Sequence, residues 1–400
     1  SAVQLYRRAE EELRLSHAAK KQRSLDRRGL PYADHAPDQA IEKAAQWLCR
    51  AQDLSPTADG GVSRDFSLIS GWSPSYPETT GYIVPTFLAL EERFPGEGYR
   101  ERARKMLDWL VDIQLDSGAY QGGMVTSAPV PVTFNTGQIL LGLAAGASAL
   151  EDRRYHDAML KAAQWLATTQ DEDGCWRRFG TPFAAPGDKA YETHVAWGLL
   201  EADRVAPGNG FGDAGLQQIR WAMTKIQSNG WVEDCCLTNP TQPLTHTLGY
   251  ALRGIVEGYR FSGDSDVLAA AESLAGGLLS AVDDEGRLPG RLLNNWQPAA
   301  DWVCLTGSVQ VAASFLDLYA WTDNKDWLDA AVALNRFVRR TVHFEGDPDV
   351  VGAVGGSFPT DGAYGKYEYL NWAAKFLIDA SVMEEVALGD DRDDRDDRGI

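Results

Sequence analysis

Two glutamates and two histidines stand where apolar helical segments of the sequence begin. Glu78 and Glu192 occupy equivalent places, His194 and His246 each open such a segment, and Tyr250 lies one helical turn beyond His246. Paired carboxylates across a cavity suit glycoside hydrolysis, one as acid and the other as base or nucleophile. Histidine transfers protons near neutral pH, and together with tyrosine it suits epimerisation or β-elimination. The five residues are candidate catalytic residues, although helix capping and charge compensation at helix N-termini are alternative roles.

Aromatic, amide and arginine residues are concentrated in the same parts of the sequence. Aromatic faces can stack on sugar rings, amides can bind hydroxyl groups, and a guanidinium can hold a carboxylate through two hydrogen bonds. An arginine there would recognise a uronic acid, whereas packing and ion pairing are the structural alternatives. The candidate substrate-binding residues are Arg64, Trp72, Tyr82, Asn135, Gln138, Trp176, Arg291, Trp296, Trp302, Tyr364, Tyr367, Asn371 and Trp372.

A sixfold repeat with a period of about 55 to 65 residues must position these side chains. In each repeat an amphipathic helical segment leads through a Gly-rich loop into a second segment that is apolar nearly all round, as in 136–150. One apolar stripe predicts a surface helix, and uniform apolarity predicts a buried helix. The predicted surface helices are 38–53, 99–115, 155–170, 214–228, 265–281 and 325–341.

Six pairs of alternating surface and buried helices are most simply arranged as two concentric rings, an all-α (α/α)6 toroid. An open solenoid is the alternative, but it needs polar capping repeats. The last buried segment, from Asn371 to Met383, is as apolar as those before it, which favours closure. The sequence therefore predicts an N-terminal helical extension over 1–37, a toroid over 38–385 and a disordered acidic tail over 386–400. The long loops precede the buried helices, so the candidate residues should meet at the inner helices' N-termini.

Composition excludes several classes of partner. The formal net charge of −19 argues against nucleic acid, whose phosphates require a basic surface. The sequence contains no uninterrupted apolar run of about 18 residues, so no membrane span is expected. The first thirty residues are charged and contain no apolar signal-peptide core. Five irregularly spaced cysteines predict free thiols in a reducing compartment, so a cytoplasmic location is expected.

One phrase of the repeat resembles a known family. The residues from Ala163-Gln164-Trp165-Leu166 to Gly174-Cys175-Trp176 resemble the Gln-Trp repeat of squalene and terpene cyclases. That superfamily, which includes protein prenyltransferase β-subunits, uses (α/α)6 toroids. The blocks 245–250, 304–310 and 370–376 look like squalene-cyclase-like proteins of bacterial polysaccharide-biosynthesis clusters. The resemblance spans roughly residues 40–385 and implies a toroid linked to polysaccharide metabolism.

The chain also departs from those relatives. A protonating cyclase needs an Asp-x-Asp-Asp acid on the inner barrel, but here that pattern occurs only in the C-terminal tail, at 391–394 and 394–397. A polyprenyl substrate would require an aromatic cavity with almost no charge, whereas the buried helices of this chain begin with polar residues. Protein prenyltransferases bind zinc through Asp, Cys and His. Asp234, Cys236 and His246 offer those types, although the three lie far closer in sequence than the family's ligands.

The sequence therefore predicts a carbohydrate-active enzyme without a cofactor or metal. A polysaccharide or oligosaccharide, such as one containing uronic acid, would bind in the toroid's mouth and undergo hydrolysis, epimerisation or elimination. A terpene cyclase or prenyltransferase-like enzyme acting on an isoprenoid is one alternative. A non-catalytic glycan-binding protein is the other.

Overall fold

The structure is a computed structural model that describes residues 10–397, with side chains described as far as residue 389. Helix α1 (His17–Asp26) follows a helical turn at 10–14 and belongs to the N-terminal extension. The outer helices are α2 (Pro37–Asp53), α4 (Tyr99–Ile113), α6 (Arg153–Thr169), α8 (Phe211–Met223), α10 (Ser265–Ser280) and α12 (Lys325–Arg339). The inner helices are α3 (Pro77–Arg93), α5 (Thr133–Ala149), α7 (Thr193–Val205), α9 (Thr245–Ser262), α11 (Leu305–Thr322) and α13 (Asn371–Asp397).

The predicted closed toroid is confirmed. Each inner helix packs against the next inner helix, and α13 returns to contact α3. At this closing contact Thr86 donates a hydrogen bond to Asp379 (2.7 Å), and Arg93 forms an ion pair with Glu385 (2.6 Å). Each inner helix also packs against the outer helix that follows it, while α13 packs against α2, the first outer helix. The two ends of the toroid sequence therefore complete the sixth helical pair together.

Two inner helices approach each other closely enough to require glycine. A Cβ at Gly142 of α5 would lie 2.1 Å from the carbonyl oxygen of Gly81 of α3. We expect Gly142→Ala to lower the free energy of unfolding by about 1–3 kcal/mol, because the added methyl group overpacks this contact. Urea denaturation measures the change. Gly276→Ala is the control, since Gly276 lies in α10 with no atom within 4 Å of its Cβ position. That variant should be neutral or slightly stabilised, and equal effects at the two sites would contradict the packing argument.

Short strands order the long loops at the face where the inner helices begin. Strand β1 (Asp65–Ser67) pairs antiparallel with β2 (Gly71–Trp72) and with β5 (Glu368–Leu370). Strand β3 (Val303–Cys304) pairs antiparallel with β4 (Ser357–Phe358). The loop before α3 is thus joined to the loop before α13, across the point where the ring closes. The loops are fixed relative to the inner helices that carry the candidate residues.

The C-terminal prediction differs from the structure. The tail predicted to be disordered from residue 386 continues α13 as a helix to Asp397, and residues 398–400 lie outside the described part of the chain. The repeated Asp-Asp-Arg sequence places opposite charges four residues apart, as at Asp391 and Arg395, which favours a helix. Among the described residues, no helix has the length and apolar character needed to cross a membrane.

Candidate functional site

A cavity opens where the inner helices begin, on the long-loop face of the toroid, and we call it the mouth cavity. Its volume is about 240 Å³. The lining combines two ionisable groups from helix starts, one arginine from a loop, and a wall of aromatic rings. The lining residues are Arg64, Tyr76, Glu78, Thr79, Phe134, Asn135, Thr181, Phe183, Tyr191, Leu237, His246, Thr247, Tyr250, Tyr364 and Trp372.

Glu78 is the only carboxyl group among the residues that line the mouth cavity. It is the second residue of α3, which begins at Pro77, a proline in a position suited to the first helical turn. The Tyr76 hydroxyl donates to Glu78 Oε2 (3.0 Å), and Asn135 Nδ2 donates to the same oxygen (2.9 Å). Burial raises the pKa of Glu78 to about 7. Both hydrogen bonds use Oε2, so Oε1 can carry a proton and exchange it near neutral pH.

His246 supplies a second proton-transfer group to the mouth cavity. Its Nδ1 lies 2.8 Å from Gln310 Oε1. Because this amide oxygen can only accept, Nδ1 carries the hydrogen and Nε2 of the neutral ring keeps its lone pair. Burial lowers the pKa of His246 to about 4. The ring is therefore neutral at neutral pH and can act as a base through Nε2.

Aromatic rings form much of the wall around these two groups. The Tyr250 ring lies 4.4 Å from the His246 ring and 5.1 Å from the Phe134 ring, measured between centroids. Trp372 Nε1 donates to the Tyr364 hydroxyl (3.0 Å), which fixes both rings. Flat faces of this kind cover the apolar faces of a ring-shaped ligand while the polar groups bind its edges.

Arg64 brings a positive charge to the same cavity. Its guanidinium carbon lies 5.3 Å from the centre of the Trp372 ring, a cation–π distance. Its Nη1 donates to Asp65 (2.7 Å) and to Glu368 (3.0 Å). These ion pairs hold the guanidinium in place and use one edge of the group. The remaining N–H groups can bind an acceptor on a ligand.

Three of the candidate site residues, Tyr82, Gln138 and His194, lie in a layer beneath the mouth cavity. The hydroxyl of Tyr82 is hydrogen-bonded to that of Tyr250 (3.3 Å). His194 Nδ1 contacts Gln138 Oε1 at 2.5 Å, and the His194 ring lies 4.5 Å from the Tyr250 ring. Burial lowers the pKa of His194 well below its usual value. Both histidines predicted as catalytic therefore contact the Tyr250 ring, but only His246 lines the mouth cavity.

Glu192 is buried but does not line the mouth cavity. It belongs to a 3₁₀ turn, Ala190–Glu192, that precedes α7. Burial raises its pKa to about 8, and its Oε2 has no hydrogen-bond partner. The structure thus does not bring Glu78 and Glu192 together around the described cavity.

The raised pKa of Glu192 predicts a pH-dependent contribution to stability. Its folded-state pKa lies above the unfolded value, so its contribution is fully present below about pH 4.5 and is lost as pH rises to about 8. We expect the free energy of unfolding to fall less between pH 5 and pH 8 in Glu192→Gln than in the original protein. Urea denaturation at both pH values measures this difference. Glu101→Gln, on the exposed face of α4, should keep the original pH dependence, and an unchanged slope in Glu192→Gln would refute the assignment.

The other predicted binding residues make structural contacts outside the mouth cavity. Trp176 Nε1 donates to the Leu166 carbonyl (2.9 Å) and Trp296 Nε1 donates to the Asn229 carbonyl (2.9 Å). The full group is Trp72, Trp176, Arg291, Trp296, Trp302, Tyr367 and Asn371.

Each remaining member of that group has its own packing role. Trp72 packs between the Trp47 and Phe66 rings, and Trp302 covers Gly290. Arg291 donates to the Gln242 carbonyl (2.6 Å). Tyr367 packs with Leu15 and Ala19 of the N-terminal extension, and Asn371 donates to the Ser63 carbonyl (3.0 Å).

Several residues of the site were missing from the sequence-based set. Tyr76 and Gln310 hold Glu78 and His246, and Phe183 lines the cavity although its side chain is 68% exposed. Tyr76 directly precedes Pro77 at the start of α3, a signal available in the sequence. Gln310 lies inside α11, and only the packing of α9 against α11 reveals its partner.

The three residues considered for zinc have separate partners. Asp234 forms an ion pair with Lys225 (3.0 Å), and His246 contacts Gln310 through Nδ1. Cys236 lies near Arg291, with 4.0 Å between Sγ and Nη1. In the part of the chain that is described, no group of three or more potential metal-binding side chains is found.

Solved proteins with related folds act on saccharides according to their names. An unsaturated glucuronyl hydrolase from Bacillus sp. GL1 has a TM-score of 0.68 and 15% sequence identity, covering 86% of this chain and 96% of that chain. A cellobiose 2-epimerase from Bacillus thermoamylovorans has a TM-score of 0.70 and 13% identity, covering 87% and 97%. A D-mannose isomerase has a TM-score of 0.70 and 12% identity, covering 87% and 97%. At these identities the likeness shows the toroid fold.

No protein-family model and no curated protein matches the sequence. The fold is therefore established by structure, and the chemistry must be argued from the mouth cavity itself.

Proposed function

We propose that this chain is a saccharide-processing enzyme that moves protons in the mouth cavity. The observation that carries the proposal is a buried carboxyl group, Glu78, whose pKa is raised to about 7 and which shares an aromatic-lined cavity with the neutral base His246. A protonated acid and an unprotonated base are thus available at the same pH, the condition for general acid–base catalysis.

The lining supports a ring-shaped, hydroxylated substrate with an acidic group. Trp372, Tyr364 and Tyr250 offer faces for a sugar ring, while Asn135 and Thr79 offer polar atoms for its hydroxyl groups. The related toroid proteins named above for their saccharide substrates or activities are consistent with this assignment.

Arg64 suits the carboxylate of a uronic acid. Its position over Trp372 directs a preorganised guanidinium into the cavity, and a guanidinium binds carboxylates through two parallel hydrogen bonds. This residue supports a uronic acid as the preferred substrate class over a neutral sugar.

The reaction best suited to this lining is epimerisation or elimination. Hydrolysis by two carboxylates requires a second acid across the bond, and Glu78 is the single carboxyl group on the lining of the mouth cavity. In the proposed reaction, His246 Nε2 takes a proton from the carbon beside the substrate's carboxylate or carbonyl group. Glu78 supplies a proton to the opposite face for epimerisation, or to the leaving oxygen for elimination.

The isoprenoid alternative fits the mouth cavity less well. Covering Glu78 and Arg64 with hydrocarbon would remove them from polar surroundings without replacing their hydrogen bonds, which is energetically costly. A glycan-binding protein without turnover remains the competing function, since it would use the same aromatic faces.

Proton exchange separates catalysis from binding. The protein would be incubated in D2O with uronic-acid oligosaccharides, their unsaturated derivatives, cellobiose and mannose, and followed by NMR and chromatography. We expect deuterium to enter the substrate carbon or an unsaturated or epimerised product to form, most readily with uronates. Saccharide binding without exchange or product would favour the glycan-binding alternative and refute the proposed chemistry.

A further inference from the structure

The toroid contains a second chamber at the opposite end of its lumen. Two adjoining cavities of about 300 Å³ and 930 Å³ lie between the later turns of the inner helices, and we call them together the far chamber. They share the residues Thr86, Ala89, Trp197, Arg253, Lys375 and Asp379. None of these lines the mouth cavity.

A layer of rings separates the two cavities. Tyr250 faces the mouth cavity and its hydroxyl bonds to Tyr82, whose side chain lines the far chamber. His194 lies against Tyr250 and also lines the far chamber. Gln310 spans the layer, since its side-chain Oε1 accepts a hydrogen bond from His246 Nδ1 and the residue also lines the far chamber.

The end of the far chamber beneath this layer is rich in hydrogen-bond donors. Lys375 and Gln310 are 4% and 3% exposed, and the amide nitrogen of Gln310 has no partner. Lys375 donates one of the three N–H groups of its ammonium to Asp379, so two N–H groups remain. Arg253 stacks on Trp197 (4.7 Å), and its Nε also has no partner.

Most acid oxygens near these donors are already engaged, although Asp317 Oδ2, which lies 3.8 Å from Arg253 Nη1, has no hydrogen-bond partner. Asp379 accepts hydrogen bonds from both Thr86 and Lys375. Glu257 accepts from Arg253 (2.5 Å). The unpartnered atoms at this end are mainly donors, beside the acceptors His194 Nε2 and Asp317 Oδ2, which suits a ligand that carries acceptors.

The outer part of the smaller cavity is mostly apolar, although Arg93, which pairs with Glu385, also lines it; the larger cavity is more polar, with Glu92, Glu201 and Arg204 on its wall. The apolar residues that line the smaller cavity are Leu90, Ala313, Phe376, Val382 and Met383. Most of them follow Lys375 or Gln310 along the same inner helices, so the wall becomes apolar with distance from the dividing layer. This gradient matches a molecule with a polar head and an apolar body.

We propose that the far chamber binds an amphiphilic anion, with a carboxylate or phosphate head at Lys375, Arg253 and Gln310 and an apolar chain along Phe376 and Val382. The anionic head receives charge-assisted hydrogen bonds from Lys375 and Arg253. The chain covers apolar surface at the outer end of the lumen. This site is independent of the chemistry proposed for the mouth cavity.

Calorimetric titration of the full chain with decanoate and with decyl phosphate tests the site. We expect saturable binding of at least one of them, and the tighter of the two identifies the preferred head group. Acetate and decanol, which lack the chain or the charge, should each bind at least tenfold more weakly. Decanol binding as tightly as both anions would overturn the assignment of an anion site.

Two substitutions locate the binding. Lys375→Met should weaken binding of the tighter anion at least tenfold by removing its charged donor. Val382→Phe should also weaken binding of the anion, because the larger side chain fills the part of the chamber that holds the apolar chain. Val382 is half-buried, so this substitution should disturb folding less than one at the buried Lys375. Melting temperatures establish that both variants are folded.

Lys161→Met and Glu78→Gln are the controls. Lys161 is exposed on α6, and Glu78 lies in the mouth cavity, so both variants should bind the anion as the original protein does. If the folded far-chamber variants bind unchanged, or if only Glu78→Gln loses binding, the proposed site is wrong.

Discussion

Glu78→Gln is expected to lower kcat/KM for the saccharide substrate by about 10²- to 10⁴-fold, the usual contribution of a general acid or base. The amide has the shape of the carboxyl group and can still contact Tyr76 and Asn135. It cannot deliver a proton near neutral pH. Substrate affinity should therefore change much less than turnover.

Steady-state kinetics and a binding titration with the same saccharide measure these two effects. Asp26→Asn is the matched control, because burial also raises the pKa of Asp26, to about 6, yet it lies in the N-terminal extension. That variant should keep its activity. Glu192→Gln should lose far less activity than Glu78→Gln, and equal losses would point to a two-carboxylate mechanism.

The pH dependence of the original protein provides an independent check. Glu78 must be protonated and His246 neutral, so activity should fall above about pH 7 and below about pH 4. The alkaline limb should disappear in Glu78→Gln, whose residual activity cannot depend on this carboxyl group. A persistent limb near pH 7 would mean that another group controls it.

The architecture could be predicted because two hydrophobic periodicities alternate along the whole chain. The striped segments became the outer ring and the uniformly apolar ones became the inner ring, with ends displaced by a few residues. The convergence of helix starts also placed Glu78, Asn135 and His246 at one cavity. The two rings and the shared position of these helix starts depend only on helix order and burial.

Side-chain direction could not be predicted from the repeat. Glu78 is the second residue of α3, whereas Glu192 lies one residue before α7, in a 3₁₀ turn. A shift of a single residue turns a helical side chain by about 100°, so equivalent places in the sequence do not face the same space. Trp176 and Trp296 show the same limit, because their indole groups bond to neighbouring backbone and support loops.

Arg339→Met should lower the free energy of unfolding by about 3–5 kcal/mol, the range for removing one partner of a buried ion pair. The side chains of Arg339 in α12 and Glu384 in α13 are each only 2% exposed, and Nη1 lies 2.7 Å from Oε2. Arg339 also donates to Asp34 of the N-terminal extension (2.8 Å). The substitution leaves Glu384 buried, with the Asn335 amide as its remaining donor (2.8 Å).

Chemical denaturation of single and double variants identifies the cause of this loss. Arg93→Met removes the pair with Glu385, whose side chains are 29% and 31% exposed, and should cost at most about 1 kcal/mol. If an unpaired buried charge causes the loss, Arg339→Met combined with Glu384→Met should recover much of the stability, since two apolar side chains need no compensation. A double variant no more stable than Arg339→Met would instead assign the loss to the contact with Asp34. The ion pair would then serve mainly to attach the N-terminal extension, and the closure of the ring at α13 would depend on apolar packing.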